Sequence, residues 1–191
     1  MAVEAVVFDV GETLVDESEH WLRIAEAARV PALTFMGVMG GLIARGRDFA
    51  EVWDVLDVPR PEGGFPMDTW YPDALPCLER LRAGFRVCAC GNTPRRAEEL
   101  VGPYVDAVGS SAGWGVRKPA PEFFARVVDL AGVPAERIAY VGDRVDNDVA
   151  PAIAAGMVGV HIRRGPWGHL QEPPAEAIRI RSLGELPEVL P

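Results

Sequence analysis

The apolar run from Val3 to Phe8 ends on a carboxylate, Asp9, and that junction limits the folds open to this chain more than any other stretch. A near-continuous run of Val and Ala reads as a strand buried on both faces, which points to a parallel sheet covered by helices. An acid at the carboxyl end of a central strand lies where open α/β sheets bind ligands. Taken alone, an Asp that closes a strand at a turn is an equally good reading.

The rest of the chain extends the pattern. Helical periodicity covers about 17–30, 32–45 and 48–56, with Pro31 as a break and Asp48 suited to an N-cap. Pro59, Pro61, Gly63, Gly64 and Pro66 make a linker-like stretch up to Tyr71 and Pro72. Strand and helix then alternate. Asp73 caps a helix to about 83, and strands are expected at 85–90, 105–109, 137–141 and 158–162. Helices are expected at 95–101, 122–131 and up to Gly156, with a closing helix at 182–189. The alternation argues for a parallel, doubly covered sheet formed by residues 1–15 and 72–191, with 16–71 as a helical insertion.

Charge narrows the partners. A net charge of −9 argues against duplex nucleic acid and anionic membranes, both of which reward a basic face. The longest apolar run, 30–44, is interrupted by Pro31 and three glycines and is too short to span a bilayer. The chain as given opens directly into the first strand, so no signal peptide is expected. Cys77, Cys88 and Cys90 lack metal-like spacing and read as small buried hydrophobes, which together suggests a reducing, cytoplasmic setting. Of the nineteen basic residues, Lys118 alone is a lysine, although a coding bias toward arginine accounts for that rarity equally well.

Polar groups from four strand ends or adjoining loops would meet at one sheet edge: Asp9, Asn92, Lys118, and the pair Asp143 and Asp148. Acids gathered in this way repel one another and call for a cation, and oxygen ligands without His or Cys favour Mg²⁺. Lys118 adds a point charge suited to a phosphoryl oxygen. Together they describe a phosphoryl-transfer site.

Phe8-Asp9 with Thr13-Leu14, Gly91-Asn92, Lys118-Pro119, and Gly142-Asp143 through Asp148 resemble the four ordered motifs of the haloacid dehalogenase-like (HAD) hydrolase superfamily. The resemblance implies a Rossmann-like α/β core with a small all-α cap placed after the first motif. It implies Asp9 as a nucleophile that forms an aspartyl-phosphate, with its other oxygen on Mg²⁺. Asn92 would orient nucleophile or substrate, and Lys118 would steady Asp9 and the phosphoryl group. Asp143 and Asp148 would be metal ligands or their support, with the Gly11 carbonyl as a further ligand. Asp146 is expected to face solvent or cap a helix. The substrate would be a small phosphorylated molecule, and the protein a monomer or homodimer.

Two departures stand out. The family's phosphatases usually carry a second Asp two residues after the nucleophile, as general acid and base, and here that position is Gly11. Glu12 is a candidate substitute, although a one-residue shift in an extended segment reverses the side-chain direction. Gly91 stands where the family has Ser or Thr, leaving a backbone N–H or Thr93 to serve the phosphoryl group. Slow or selective turnover is the expectation, and a binding or regulatory module with little turnover is the alternative. A 2-haloacid dehalogenase ranks below both, because Asp143 and Asp148 are both present. The insertion contains no lysine, which argues against Schiff-base phosphonate chemistry.

Among remaining residues, His20 and Trp21 are expected to face either substrate or solvent. Leu33, Phe35, Met36, Val38, Met39, Leu42 and Ile43 are expected to form internal packing of the insertion. Arg163, Arg164, Trp167 and His169 read as a solvated turn.

Overall fold

The structure, a computed structural model, describes residues 2–62 and 68–190. Six parallel strands are present among them: β1 (Ala5–Phe8), β2 (Arg86–Gly91), β3 (Ala107–Ser110), β4 (Ile138–Gly142), β5 (Val158–Ile162) and β6 (Ile178–Ile180). Their spatial order is β3-β2-β1-β4-β5-β6, so the chain winds outward in opposite directions from the adjacent pair β1 and β4. The carboxyl ends of those two strands form the switch point where an α/β sheet opens a crevice.

Helices cover both sheet faces. The α4 helix (Ala74–Leu81) and the short α10 (Leu186–Val189) bury Leu78, Leu81 and Leu186 against Val6, Phe8 and Val141 on one face. On the other, α7 (Pro121–Ala131) and α8 (Ala150–Ala154) pack Phe123, Phe124, Val127 and Ala152 against Val7, Cys88 and Tyr140. The three cysteines are free and buried. Two further helices, α5 (Arg96–Val101) and α6 (Ser111–Trp114), lie before and after β3.

Between β1 and α4 come α1 (Ser18–Ala27), α2 (Ala32–Ile43) and α3 (Val52–Leu56). They share a separate apolar cluster of Trp21, Phe35, Met39, Leu42, Ile43 and Val52. Trp167, on α9 (Gly165–Leu170), joins this cluster and ties the three helices to the sheet-bearing part of the chain. No described helix is long and apolar enough to cross a membrane.

Several details differ from expectation. Leu33 is not internal packing: it is 87% exposed at the start of α2. The turn expected after β5 is the helix α9, which buries Trp167, and β6 follows it. Arg164 is not solvated, because it donates to the Thr13 carbonyl at 2.8 Å and pairs with Asp73. Asp73 stands at the N-cap of α4 but does not cap it; its carboxylate accepts instead from Ser182 Oγ at 2.7 Å and the Leu183 amide at 3.0 Å. Asp48 does cap, accepting from the Ala50 amide at 2.9 Å. The closing helix is a 3-10 turn, Leu183–Glu185, running into α10 behind a Ser182/Glu185 capping box. The Gly- and Pro-rich linker falls partly on residues 63–67, outside the described residues.

Candidate active site

The β1 backbone carries Asp9 out of the sheet with its amide bonded to the Val141 carbonyl at 2.8 Å, so the ends of β1 and β4 are locked together. A tight turn follows, in which Leu14 and Val15 both donate to the Val10 carbonyl at 2.9 Å. The turn folds the chain back over the strand end and delivers Glu17 to the start of α1.

The Lys118 ammonium is the hub. It donates to Asp9 Oδ1 at 2.6 Å and to Asp148 Oδ1 at 2.5 Å, with its side chain 1% exposed. The rings of Phe123 and Tyr140 stand 5.9 and 5.7 Å from its nitrogen, a further electrostatic attraction. Burial alone would favour the neutral amine, but Asp148 and Asp9 outweigh it and hold Lys118 above its ordinary range, so it is charged. Asn92 fixes the lysine from behind: its amide donates to the Lys118 carbonyl at 3.0 Å and its oxygen accepts from the Lys118 amide at 2.9 Å. Asn92, expected to orient nucleophile or substrate, lines the same cavity as Asp9, with both its amide atoms bonded to the Lys118 backbone.

Asp9, Asp143 and Asp148 offer carboxylate oxygens that all lie within 4.8 Å of one another. Asp148 accepts from the Arg144 amide at 3.0 Å, whereas Asp143 Oδ2 is buried without any hydrogen-bond partner. Burial, then the nearby Asp148 and Asp9 charges, push Asp143 well above the usual carboxylate range. Burial likewise raises Asp148, to about 6, with Lys118 acting against it. An orphaned buried oxygen among three oxygen donors fits a hard divalent cation, which would supply the missing partner. Asp146 is exposed and paired with Arg144, as expected.

A side chain at either motif glycine would meet a carboxylate, the short Asp9 side chain at Gly91 and the flexible end of Glu17 at Gly11. A Cβ on Gly91 would stand 2.5 Å from Asp9 Oδ1, and one on Gly11 would stand 2.8 Å from Glu17 Cδ. Gly142 behaves alike, since a Cβ there would lie 2.5 Å from Asp148 Oδ2. Thr93 is buried, and its hydroxyl lies 3.5 Å from the Gly91 carbonyl.

Glu12 sits at φ 52° with its carboxylate fully engaged: Oε2 accepts from Tyr71 Oη at 2.5 Å and Oε1 from the Glu17 amide at 3.1 Å. Gly165, at φ 57°, packs against it where a Cβ would stand 2.7 Å from Glu12 Cγ. Glu17, which sequence reasoning passed over, lines the same cavity as Asp9 and Lys118. Burial, then the nearby Glu12 and Asp9 carboxylates, raise Glu17 to about 8, which favours its protonated form. Its sequence signal is faint, because an acid at the start of a helix is ordinary.

The cavity has a volume of about 170 Å³, with Asp9, Asn92, Thr93, Lys118 and Asp143 on the sheet side and Trp21, Phe49 and Trp167 opposite. The three rings meet at 5.4–6.3 Å between centroids, with Phe49 edge-on to both indoles. Space of this size suits a phosphoryl group on a small organic residue, below the range of about 300–1,000 Å³ for drug-sized ligands.

A family model for haloacid dehalogenase-like hydrolases matches residues 3–156. A glyceraldehyde 3-phosphate phosphatase of Methanocaldococcus jannaschii is 35% identical over 127 residues, covering 63% of this chain and 56% of that protein. A phosphoserine phosphatase of Thermus thermophilus is 31% identical over 157 residues, covering 78% of this chain and 58% of that protein. The chain thus spans a little over half the length of these relatives. A putative HAD hydrolase of Bacillus subtilis, solved bound to magnesium, superimposes with a TM-score of 0.72 at 19% identity, over 100% of this chain and 99% of that one.

Proposed function

The chain belongs to the haloacid dehalogenase-like hydrolase family, and from that premise we propose that it is a Mg²⁺-dependent phosphatase acting on a small phosphate monoester through Asp9. The observation that carries this reading is the buried Lys118 bridging Asp9 and Asp148 beside the unpartnered oxygen of Asp143. The names of its phosphatase relatives, and magnesium in the Bacillus subtilis neighbour, support it. Two acids beside Asp9 favour a phosphatase over a dehalogenase.

In this reading Asp9, Asp143 and Asp148, with the Gly11 carbonyl, would hold the ion. When bound, it neutralises charge on the transferring group. Lys118 keeps Asp9 in place and faces the phosphoryl oxygens, and Asn92 fixes Lys118. Asp9 attacks phosphorus with one carboxylate oxygen, and the ester P–O bond breaks. The departing alkoxide takes its proton from Glu17, the carboxyl group lining the cavity beside Gly11. The Glu17 carboxylate then takes a proton from water, the hydroxide attacks phosphorus, and the bond to Asp9 breaks, releasing inorganic phosphate. Glu12 positions Glu17 through the backbone amide, and so is a positioning residue rather than the acid.

Residues 16–71 act as the cap over residues 1–15 and 72–191, with Trp21 and Phe49 limiting substrate size. Free buried thiols support a reducing, cytoplasmic setting for a monomer or homodimer. The test is phosphate release from a panel of small phosphate esters with and without Mg²⁺, beside Asp9→Asn. Mg²⁺-dependent release that the variant lacks supports the reading; turnover equal in the variant removes it.

A further inference from the structure

We propose that the chain carries a second binding site, for a small phosphate- or carboxylate-bearing anion, in the cavity at the carboxyl ends of β5 and β6. His161 pairs in register with Arg179, and Arg163 and Arg181 follow directly after the last residues of β5 and β6. All four line one cavity of about 340 Å³, and His169 from α9 closes it. Its volume lies in the range that small-ligand sites occupy. It shares no lining residue with the catalytic cavity.

The acids nearby are already committed. Glu172 Oε1 accepts from Arg179 at 2.7 Å. Glu185 Oε1 accepts from the amides of Arg181 and Ser182, both at 2.9 Å, in the capping box that starts the last helical turn. The guanidinium groups of Arg163 and Arg181 are left without a hydrogen-bond or ion-pair partner among the described residues. Glu172 and Glu185 line the cavity too, and Arg179 is paired with Glu172, so Arg163 and Arg181 are the cations left to receive an anion in a chain of net charge −9. The guanidinium fork matches carboxylate and phosphate oxygens, which defines the ligand chemistry.

The site is not isolated from catalysis. His161 Nε2 donates to the Asp143 carbonyl at 3.0 Å, so one imidazole spans the distance from this cavity to the metal-binding loop.

The chain has three histidines, His20, His161 and His169, and two of them line this cavity. The test is ¹⁵N-histidine NMR of the whole protein, titrated separately with inorganic phosphate and with citrate. Saturable movement of His161 and His169 together is expected, weakened about tenfold or more in Arg163→Ala/Arg181→Ala, which removes two charge-assisted donors to the anion. The variant keeps its folded spectrum and its phosphatase activity. Tighter saturation by phosphate identifies a phosphorylated ligand, and tighter saturation by citrate a carboxylate. Phosphate in the catalytic cavity would move His161 without His169, and would do so equally in the variant. That pattern, or no movement of His169 with either anion, overturns the proposal.

Discussion

The carboxyl group of Glu17 occupies the space in which a side chain on Gly11 would begin, with Glu17 Cδ 2.8 Å from an ideal Cβ there. The two residues therefore compete for one point of the cavity, and a side chain at position 11 requires the flexible end of Glu17 to move aside.

Glu17→Gln is expected to lower kcat by about 10²–10⁴-fold, the usual contribution of a general acid and base. Gly11→Asp alone collides with Glu17 and lowers activity, whereas Gly11→Asp/Glu17→Ala recovers part of it. Steady-state kinetics of the three variants check this. A double variant no better than Glu17→Ala would separate the two positions functionally.

Stability should respond to the same carboxyl. Burial raises Glu17 from an ordinary 4.5 to about 8, so between those pH values the folded chain holds a proton that the unfolded chain has released. Stability contributed by the protonated form is complete below 4.5, declines as pH rises toward 8, and is gone above it. Each pH unit in that window costs up to about 1.4 kcal/mol. Urea unfolding of metal-free protein from pH 4.5 to 9 should show Glu17→Gln gaining on wild type as pH rises.

Lys118→Met leaves Asp9 and Asp148 buried without their cation. Removing one partner of a buried ion pair costs about 3–5 kcal/mol. The variant should have a correspondingly lower urea midpoint in metal-free buffer, and Lys118→Arg should not restore it, because a planar fork does not fit the small volume between two carboxylates and two rings.

Gly91→Ser restores the hydroxyl expected from the family's motif, yet it should lower kcat rather than raise it. Its Cβ would meet Asp9 Oδ1 at 2.5 Å, so the nucleophile must shift. Phosphate release at saturating substrate measures the difference.

Tyr71→Phe removes the donor to Glu12 Oε2, and leaving a buried oxygen without its partner costs about 1–3 kcal/mol. Glu12 then loses its anchor, and with it the amide of Glu17. A fall in kcat alongside the stability loss distinguishes positioning from packing.

The strand ends were legible because short, mostly apolar runs meet Asp9, Asn92 and Asp143 at abrupt polar boundaries. Glu17 was not, since its place depends on the turn at residues 11–16 folding back over β1, which no local periodicity reports. Arg163, Arg164, Trp167 and His169 read as a turn, although they flank and form α9, which needs Gly168 because a Cβ there would stand 2.8 Å from the Ile162 carbonyl. The short β6 has only three residues, too few for alternation to register. Asp73 had a capping residue's position, but tertiary donors from Ser182 and Leu183 outbid the local amides.

The bond from Lys118 to Asp9 joins residues 109 positions apart. A chain folding from its amino end sets Asp9 at the tip of a buried strand well before the lysine that neutralises it can arrive. Closing so long a loop is slow and entropically opposed. The tip of β1 and the Lys118 loop therefore depend on each other across most of the chain: the buried acid is compensated only once the distant lysine is in place.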